Sequence, residues 1–292
     1  MSNPTLFPKS VEEISQMLKT IQGPVWHDSR DWSNPFATVN PSGTLLSLSE
    51  FTGIVEHDVS DQVVVVRAGT RLSELQDELA KQGQCLPFPE LDSVQGTATA
   101  FYDDSIANLI GYNLPHGLHR QCGTWRDWIL GMTVVQADGT IAKCGSKAVK
   151  NVAGYDVQKL LIGARGTLVV IGNVVFKTYP LRALPKHQVQ VSATLAGKAP
   201  NWIQRVYPSD FQTAIQANGR ILTAFDEASS TLWALVRRGE SLRRFAGDWV
   251  IRADLGSRNL DLSDLAVSRL TIRTKEMFDP SRKLNPGAMG IV

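Results

Sequence analysis

The residues best placed to do chemistry are glycines at the ends of apolar runs: Gly69, Gly123, Gly154, Gly163 and Gly166. A residue without a Cβ lets the backbone come close to a ligand and present N–H groups to a pyrophosphate. Each one alone reads as readily as a plain turn, so their order along the chain carries the information. Other signatures are missing. There is no Walker A loop, no G-x-G-x-x-G opening a helix, no G-x-S-x-G elbow and no H-E-x-x-H. His116 and His119 stand three apart, but Pro115 and Gly117 argue against a shared helical face, so no metal site is expected there. Cys85, Cys122 and Cys144 are odd in number and lack C-x-x-C spacing, which argues against a disulfide scaffold, a cysteine zinc site or an iron–sulfur centre. No base candidate stands out, since residues 187–268 hold a single histidine, His187.

The elements that must position these turns follow from periodicity. Val11, Ile14 and Leu18 share a face, and Ser10 with Glu13 forms a capping-box pattern, so a helix is predicted over Val11–Thr20. Residues 23–40 read as an irregular loop, Leu45–Leu48 as a short strand, and 51–56 as a turn entering another. Asp58–Asp61 reads as a hairpin turn. The β-branched run Gln62–Ala68 predicts a buried strand, after which Thr70 is placed to cap a helix through Leu72, Leu75 and Leu79. Residues 96–113 read as a loop. Asp127–Gln136 and Ile141–Cys144 are strand-like, and Asp138-Gly139 between them is a hairpin signal. A short helix capped by Asp156 is predicted over Val157–Ile162, then a strand over Thr167–Thr178. Beyond Pro180 and Pro185, residues 187–268 mix strand-like (Gln188–Ala193, Ser230–Val236) and helix-like (Ser209–Ala217, Ser241–Val250) patches. Leu265–Phe278 closes the chain as a helix ended by Asp279-Pro280.

Composition bounds the class. The chain has 292 residues, 43% hydrophobic and 20% charged, which is ordinary globular usage and enough for a large core. Net charge is +2 and no recognition motif is present, so nucleic acid is not an expected partner. Of the 30 Lys/Arg, 16 fall in residues 181–292, against 10 of the 28 Asp/Glu. That basic C-terminal part meets an anionic substrate or an acidic partner, or is a solvated surface; the last is the default. No apolar leader stands at Met1–Lys19 and no apolar run reaches the roughly 20 residues of a membrane span, so a cytoplasmic chain without an integral membrane segment is expected, at most peripheral to the inner membrane face through partners.

Five strings carry a family resemblance. Ala68-Gly69-Thr70 before Leu72 and Leu75 resembles the AGT-x-L-x-x-L turn of vanillyl-alcohol-oxidase-type (PCMH-type) flavoproteins. Gly123-Thr124-Trp125-Arg126-Asp127 through Gly131 is similar to their G-x-x-R-D-x-x-L-G segment. Gly163, Gly166-Thr167-Leu168 and Ile171 resemble their G-x-x-GTLGVIT strand entry. Lys150-Asn151-Val152-Ala153-Gly154-Tyr155-Asp156, with Lys159-Leu160, resembles the narrower signature of the E subunit of bacterial glycolate oxidase. Phe278-Asp279-Pro280 with Leu284-Asn285-Pro286-Gly287 resembles the C-terminal FDP-x-x-x-LNPG tail. Coverage runs over about residues 8–180 and 270–288. Three places depart from the pattern. Gln22 to His27 stand where a glycine-rich loop is usual. Gly96-Thr97-Ala98-Thr99-Ala100-Phe101 lack a paired glycine, and Val169 replaces a glycine.

The resemblance implies an α+β, two-subdomain FAD-binding PCMH-type fold, with a small α+β cap domain and a returning C-terminal segment. Its divisions would be 1–181, 182–268 and 269–292. It implies FAD as cofactor, near Gly69, Thr70, Gly96, Thr97, Gly123, Arg126, Asp127, Gly154, Gly163, Gly166, Thr167 and Ile171. Catalytic residues stay unassigned. It further implies an FAD-binding subunit of a glycolate-oxidase-like complex, taking glycolate to glyoxylate beside a larger related flavoprotein subunit and an iron–sulfur subunit. A flavin-free structural subunit and a stand-alone FAD-linked oxidoreductase with another substrate are the alternatives. Arg126 and Asp127 read as an ion pair or as cofactor neighbours. Asn151 and Tyr155 read as hydrogen-bonders in a turn, Asn285 as part of a docking turn for the tail, and Trp125 and Trp128 as core.

Overall fold

A computed structural model describes residues 4–27, 43–88, 104–113, 118–147, 155–184, 190–191, 202–227, 230–234, 237, 242–243, 245, 249–252 and 265–286. The architecture is α+β. A small parallel sheet is formed by β1 (Thr5–Leu6), β2 (Val25–His27) and β3 (Thr44–Leu46), in the order β1-β3-β2. Helix α1 (Val11–Thr20) joins the first two strands, and Ser10 Oγ accepts the Glu13 N–H as its capping pattern requires. Its apolar face, Val11, Ile14 and Leu18, is buried. The strand at β2 falls where the sequence reads as loop, because its pairing partners lie far along the chain.

The larger sheet runs β4 (Ile54–Asp58), β5 (Val63–Arg67), β9 (Val170–Lys177), β7 (Ile129–Val135), β8 (Ile141–Gly145), all neighbours antiparallel. Its valine-rich second strand lies inside the sheet, between β4 and β9, and Val64 and Val66 are wholly buried. The Asp138-Gly139 turn joins β7 to β8, with Asp138 Oδ1 accepting the Thr140 N–H at 2.8 Å. Two short strands, β6 (Gln84–Cys85) and β10 (Tyr179–Pro180), pair antiparallel beside it.

Local detail corrects several expectations. Helix α2 (Leu72–Ala80) starts at an Arg71 cap with no side-chain bond. Thr70 instead donates its hydroxyl to Arg67 O at 2.7 Å and accepts the Gly53 N–H at 2.9 Å, stitching the turn below the helix. The segment predicted as loop up to Asn113 contains helix α3 (Ile106–Gly111), capped by Ser105 Oγ on the Asn108 N–H. Between α4 (His119–Cys122) and β7 lies a single turn, α5 (Trp125–Trp128). Trp125 and Trp128 are core residues, with ring centroids 5.5 Å apart. The helix α6 (Val157–Leu161) follows Asp156, whose carboxylate pairs with Lys159 at 2.7 Å instead of bonding the helix N–H groups.

A second apolar core gathers Val206, Phe211, Ala214, Leu222, Leu232, Ala234 and Leu242. It belongs to the antiparallel sheet β11 (Gln190–Val191), β13 (Leu222–Asp226), β14 (Thr231–Ala234), β12 (Trp202–Arg205), β15 (Trp249–Arg252), in that spatial order, with helix α7 (Phe211–Asn218). Trp249 and Val250 are strand residues, where the sequence suggested a helix.

Helix α8 (Leu265–Phe278) and the tail to Pro286 return to the first core. Their anchor is a buried ion pair. Lys275, 3% exposed, gives its ammonium protons to Asp279 Oδ2 at 2.5 Å, Thr167 O at 2.6 Å and Leu284 O at 2.9 Å. Asp279, fully buried, also accepts the Leu284 and Lys283 N–H groups and the Ser281 hydroxyl. The tail then runs beside β2. Val25 N donates to Lys283 O and Asn285 N to Val25 O, each at 2.8 Å, while Leu284 enters the core.

Two stability predictions follow. Replacing Lys275 by methionine leaves Asp279 charged, buried and short of a partner, and should cost about 3–5 kcal/mol in urea unfolding. The Lys275→Met/Asp279→Leu double variant should lose less than the two single losses added together; simple additivity would deny the pairing. At Gly69 a Cβ would lie 1.9 Å from Leu48 O and 2.7 Å from Phe51 O. Gly69→Ala should therefore cost about 3 kcal/mol or more through backbone displacement, and an unchanged unfolding midpoint would refute that packing.

Candidate functional site

A crevice forms where the first sheet, α3, the 164–167 turn and the tail converge. Its lining includes His27, Leu48, Ala107, Asn108, Gly111, Tyr112, Arg165, Gly166, Ile171 and Asn285. Each arrives by a different route. His27 ends β2. The turn after β5 holds the start of α3, since Thr70 O accepts the Ile106 N–H at 2.9 Å and Ala68 O the Ala107 N–H at 2.8 Å. Helix α3 in turn holds the next loop: Ile110 O accepts the Gly163 N–H and Gly111 O the Arg165 N–H.

Residues 164–167 make a tight turn closed by the Thr167 N–H on Ala164 O at 2.9 Å. Both central residues are left-handed, with φ +50° at Arg165 and +68° at Gly166. That geometry favours glycine and is uncommon for arginine. The turn aims two carbonyls at the chain's opposite ends. Gly166 O receives His27 Nε2 at 2.7 Å, and Arg165 O receives Asn285 Nδ2 at 2.9 Å. Asn285 also binds the His27 backbone, accepting its N–H at 2.9 Å and donating to its carbonyl at 3.3 Å. A Cβ on Gly166 would stand 2.5 Å from the His27 ring and 2.6 Å from Asn285 Nδ2, so the glycine is required by this clasp.

The clasp fixes the imidazole's state. A carbonyl only accepts, so Nε2 carries the proton. Burial pushes the ring's pKa down from 6.5 to about 4, against the opposing pull of the Gly166 bond. His27 is therefore neutral at neutral pH. Across the crevice the Arg165 guanidinium stands 5.6 Å from the centre of the Tyr112 ring. Leu48, Ala107 and Ile171 supply apolar wall.

The expected site residues that the structure describes fall into three groups. Gly166 and Ile171 line the crevice. Gly69, Thr70, Gly163 and Thr167 support it from behind: Thr167 is buried, its hydroxyl on Ala164 O and its carbonyl on Lys275. Gly123, Arg126 and Asp127 are outside the lining. Asp127 does not ion-pair with Arg126; its carboxylate accepts the Thr124 N–H and hydroxyl at 2.7 and 2.9 Å. Gly96, Thr97 and Gly154 lie outside the described residues. The crevice also uses Asn108, Tyr112 and Arg165, which sequence reading did not single out. The glycine after Arg165 was the available signal.

These groups suit a flavin dinucleotide in kind. The Arg165 guanidinium matches a pyrophosphate and the apolar wall matches a ring system, while the Arg165 and Thr167 N–H groups are spent on Gly111 O and Ala164 O. The free volume of this partly open crevice is about 30 Å3, room for a water molecule, so the described residues furnish walls and not the full space a ring needs. Among the described residues no group of three or more His, Cys, Asp or Glu could hold a metal ion. No helix among them is long and apolar enough to cross a membrane.

Residues 4–145 match a family described as FAD binding domain. The chain is 31% identical over 188 residues to the mitochondrial D-lactate dehydrogenase [cytochrome] of Arabidopsis thaliana, covering 63% of this chain and 31% of that one. It is 30% identical over 140 residues to glycolate oxidase subunit GlcE of Escherichia coli (strain K12), covering 48% and 38%. Among solved structures, an alkyldihydroxyacetonephosphate synthase aligns over 74% of this chain and 37% of its own, at 15% identity and a TM-score of 0.49. The chain thus spans about a third of the length of the curated relatives it matches. With the signature strings and the converging crevice walls, the match identifies residues 4–145 as an FAD binding domain, whose cofactor is FAD.

Proposed function

We propose that this chain is the FAD-binding subunit of a multi-subunit oxidoreductase acting on a 2-hydroxy acid, with glycolate oxidised to glyoxylate as the leading substrate. The observation that carries this reading is the 164–167 turn, whose paired left-handed residues offer a crevice beside Arg165 inside a chain of FAD-binding lineage. The relatives support the substrate class, since lactate and glycolate are both 2-hydroxy acids. In this reading 1–181 holds the cofactor, 182–268 is cap-like and 269–292 packs back.

The residues then take these roles. Arg165 faces the pyrophosphate, and Gly166 lets the turn close against His27 beside it. Gly69, Thr70, Gly163 and Thr167 keep those walls in register, and Ile171 with Leu48 covers apolar surface. The segments with Gly96, Thr97 and Gly154, and the turn at Gly123, Arg126 and Asp127, would complete the cofactor's surroundings. FAD, when bound, supplies the hydride acceptor. Alcohol oxidation also needs a base for the hydroxyl proton and a cation for the carboxylate. His27, the crevice's imidazole, already gives its Nε2 proton to Gly166 and stays neutral. It serves as a clasp, and the base belongs to a larger related flavoprotein subunit in this reading, with an iron–sulfur subunit taking electrons. The second reading, a flavin-free structural subunit, draws on the small free volume of the crevice.

Purified chain mixed with FAD and desalted should keep a visible flavin band, and Arg165→Ala should weaken FAD affinity about tenfold. A chain that takes up no flavin would favour the structural reading. Turnover of glycolate by the isolated chain with an artificial electron acceptor would overturn the accessory-subunit reading in favour of a stand-alone enzyme.

His27 adds a pH signature. Its folded value is lower than its unfolded one, so the unfolded chain takes up a proton first as pH falls. The stability it contributes is present above pH 6.5 and is lost as pH drops through about 4. That amounts to about 3 kcal/mol. His27→Gln keeps a donor for Gly166 without titrating. Its urea midpoint should fall less between pH 7 and 4 than that of the parent chain; parallel curves would show that His27 is not buried neutral.

A further inference from the structure

The turn that faces the crevice through Arg165 and Gly166 has another side. There, Ile162, Leu168 and Thr167 meet Leu160 of α6 and Leu270 and Thr274 of α8 around a groove of about 470 Å3. The size is that of a pocket that takes several side chains. Its lip is apolar and open: Leu160 is 49% exposed and Leu270 68%, and Met277 further along α8 is 80% exposed. Its hydroxyls are already engaged. Thr274 donates to Leu270 O at 2.8 Å and Thr167 to Ala164 O at 2.7 Å. The groove therefore offers apolar surface and few polar contacts. Exposed leucines gathered at the lip of a concave groove give an apolar partner something to pack against.

Charge defines what fits. Arg269 and Arg273 are exposed on α8, one turn apart, and neither has an ion pair among the described residues. Arg273 is three residues from Leu270 and four from Met277, so it shares their side of the helix. The groove wall is also rigid, because Lys275 on the inner face of α8 ties that helix to Thr167 O. We propose that this groove docks an amphipathic helix of a partner subunit. Apolar side chains at i, i+3/i+4 and i+7 would fill it, and acidic side chains would face Arg269 and Arg273. A second copy of this chain is a poor occupant, since two-fold pairing of the same face would bring Arg269 and Arg273 of both copies into one interface. A bilayer surface is flat and would leave a concave groove unfilled.

The proposal rests on the reading of this chain as a subunit, but not on flavin retention. A photoreactive benzophenone amino acid at Leu270, in the full chain expressed in its native host, tests it. Expected is a cross-link to a peptide of another protein that has apolar residues at helical spacing flanked by Asp or Glu. The Arg269→Glu/Arg273→Glu variant should lower its yield about tenfold, with an unchanged thermal midpoint. Should that variant fail to fold, Arg273→Gln alone serves, with a smaller loss expected. Cross-links between copies of this chain, binding to phosphatidylglycerol vesicles, a yield no higher than from the same probe at exposed Val59, or indifference to the arginines would each overturn the proposal. The flavin band of the same preparation reads the cofactor separately: a colourless chain that still cross-links keeps the groove and loses the flavoprotein reading.

Discussion

Lys275 sits where an ammonium is costly unless every proton finds an oxygen. It is 3% exposed, and its three bonds go to Asp279, Thr167 and Leu284. Burial lowers its pKa, as desolvation of a cation must. Burial alone would raise that of Asp279, yet the ammonium and two backbone N–H groups outweigh it and hold the carboxyl below its ordinary value. The pair is thus ionised and closed. Its geometric consequences matter more than its net energy, since a buried ion pair is weak evidence of stability by itself. It fixes the carbonyl of Thr167, and so the turn before β9. It fixes the carbonyl of Leu284, and so the path of the tail along β2.

From that constraint the crevice follows. Asn285 is delivered to the end of β2 one residue after Leu284, and its side-chain amide bonds the His27 backbone on both sides. The same amide reaches Arg165 O, 120 residues away in sequence. Three segments from the beginning, middle and end of the chain are thereby held within hydrogen-bond distance. None of them presents this arrangement alone. The first sheet would lack its tail edge, and the 164–167 turn would have two carbonyls and no donors.

What the sequence could tell was what short range decides. The capping pattern at Ser10 and Glu13, the valine run of β5, the Asp138-Gly139 turn and the burial of Trp125 and Trp128 all depend on neighbours within a few residues or on plain hydrophobicity. The failures share the opposite origin. Residues 25–27 form a strand only because β3 and Lys283–Asn285 pair with them. Thr70 has the residue type of a helix cap, but a better offer comes from Arg67 and Gly53 in the turn beneath it. Lys275 looks like any basic residue near a helix C-terminus, and nothing local announces that Asp279 four residues on will be buried with it. Arg165 was hidden because arginine rarely takes a left-handed turn position; the following glycine was the only trace.

The turn at 163–168 then has two jobs that a single side could not perform. Arg165 and Gly166 line the crevice, while Gly163, Ala164, Thr167 and Leu168 line the groove behind. A ligand in the crevice and a helix in the groove would share one wall only a few residues thick. Close-packed interiors have low compressibility. This wall is pinned by Lys275, by Gly111 and Ile110 of α3, and by His27. The turn that carries Arg165 into the crevice is thus the same element whose other face walls the groove.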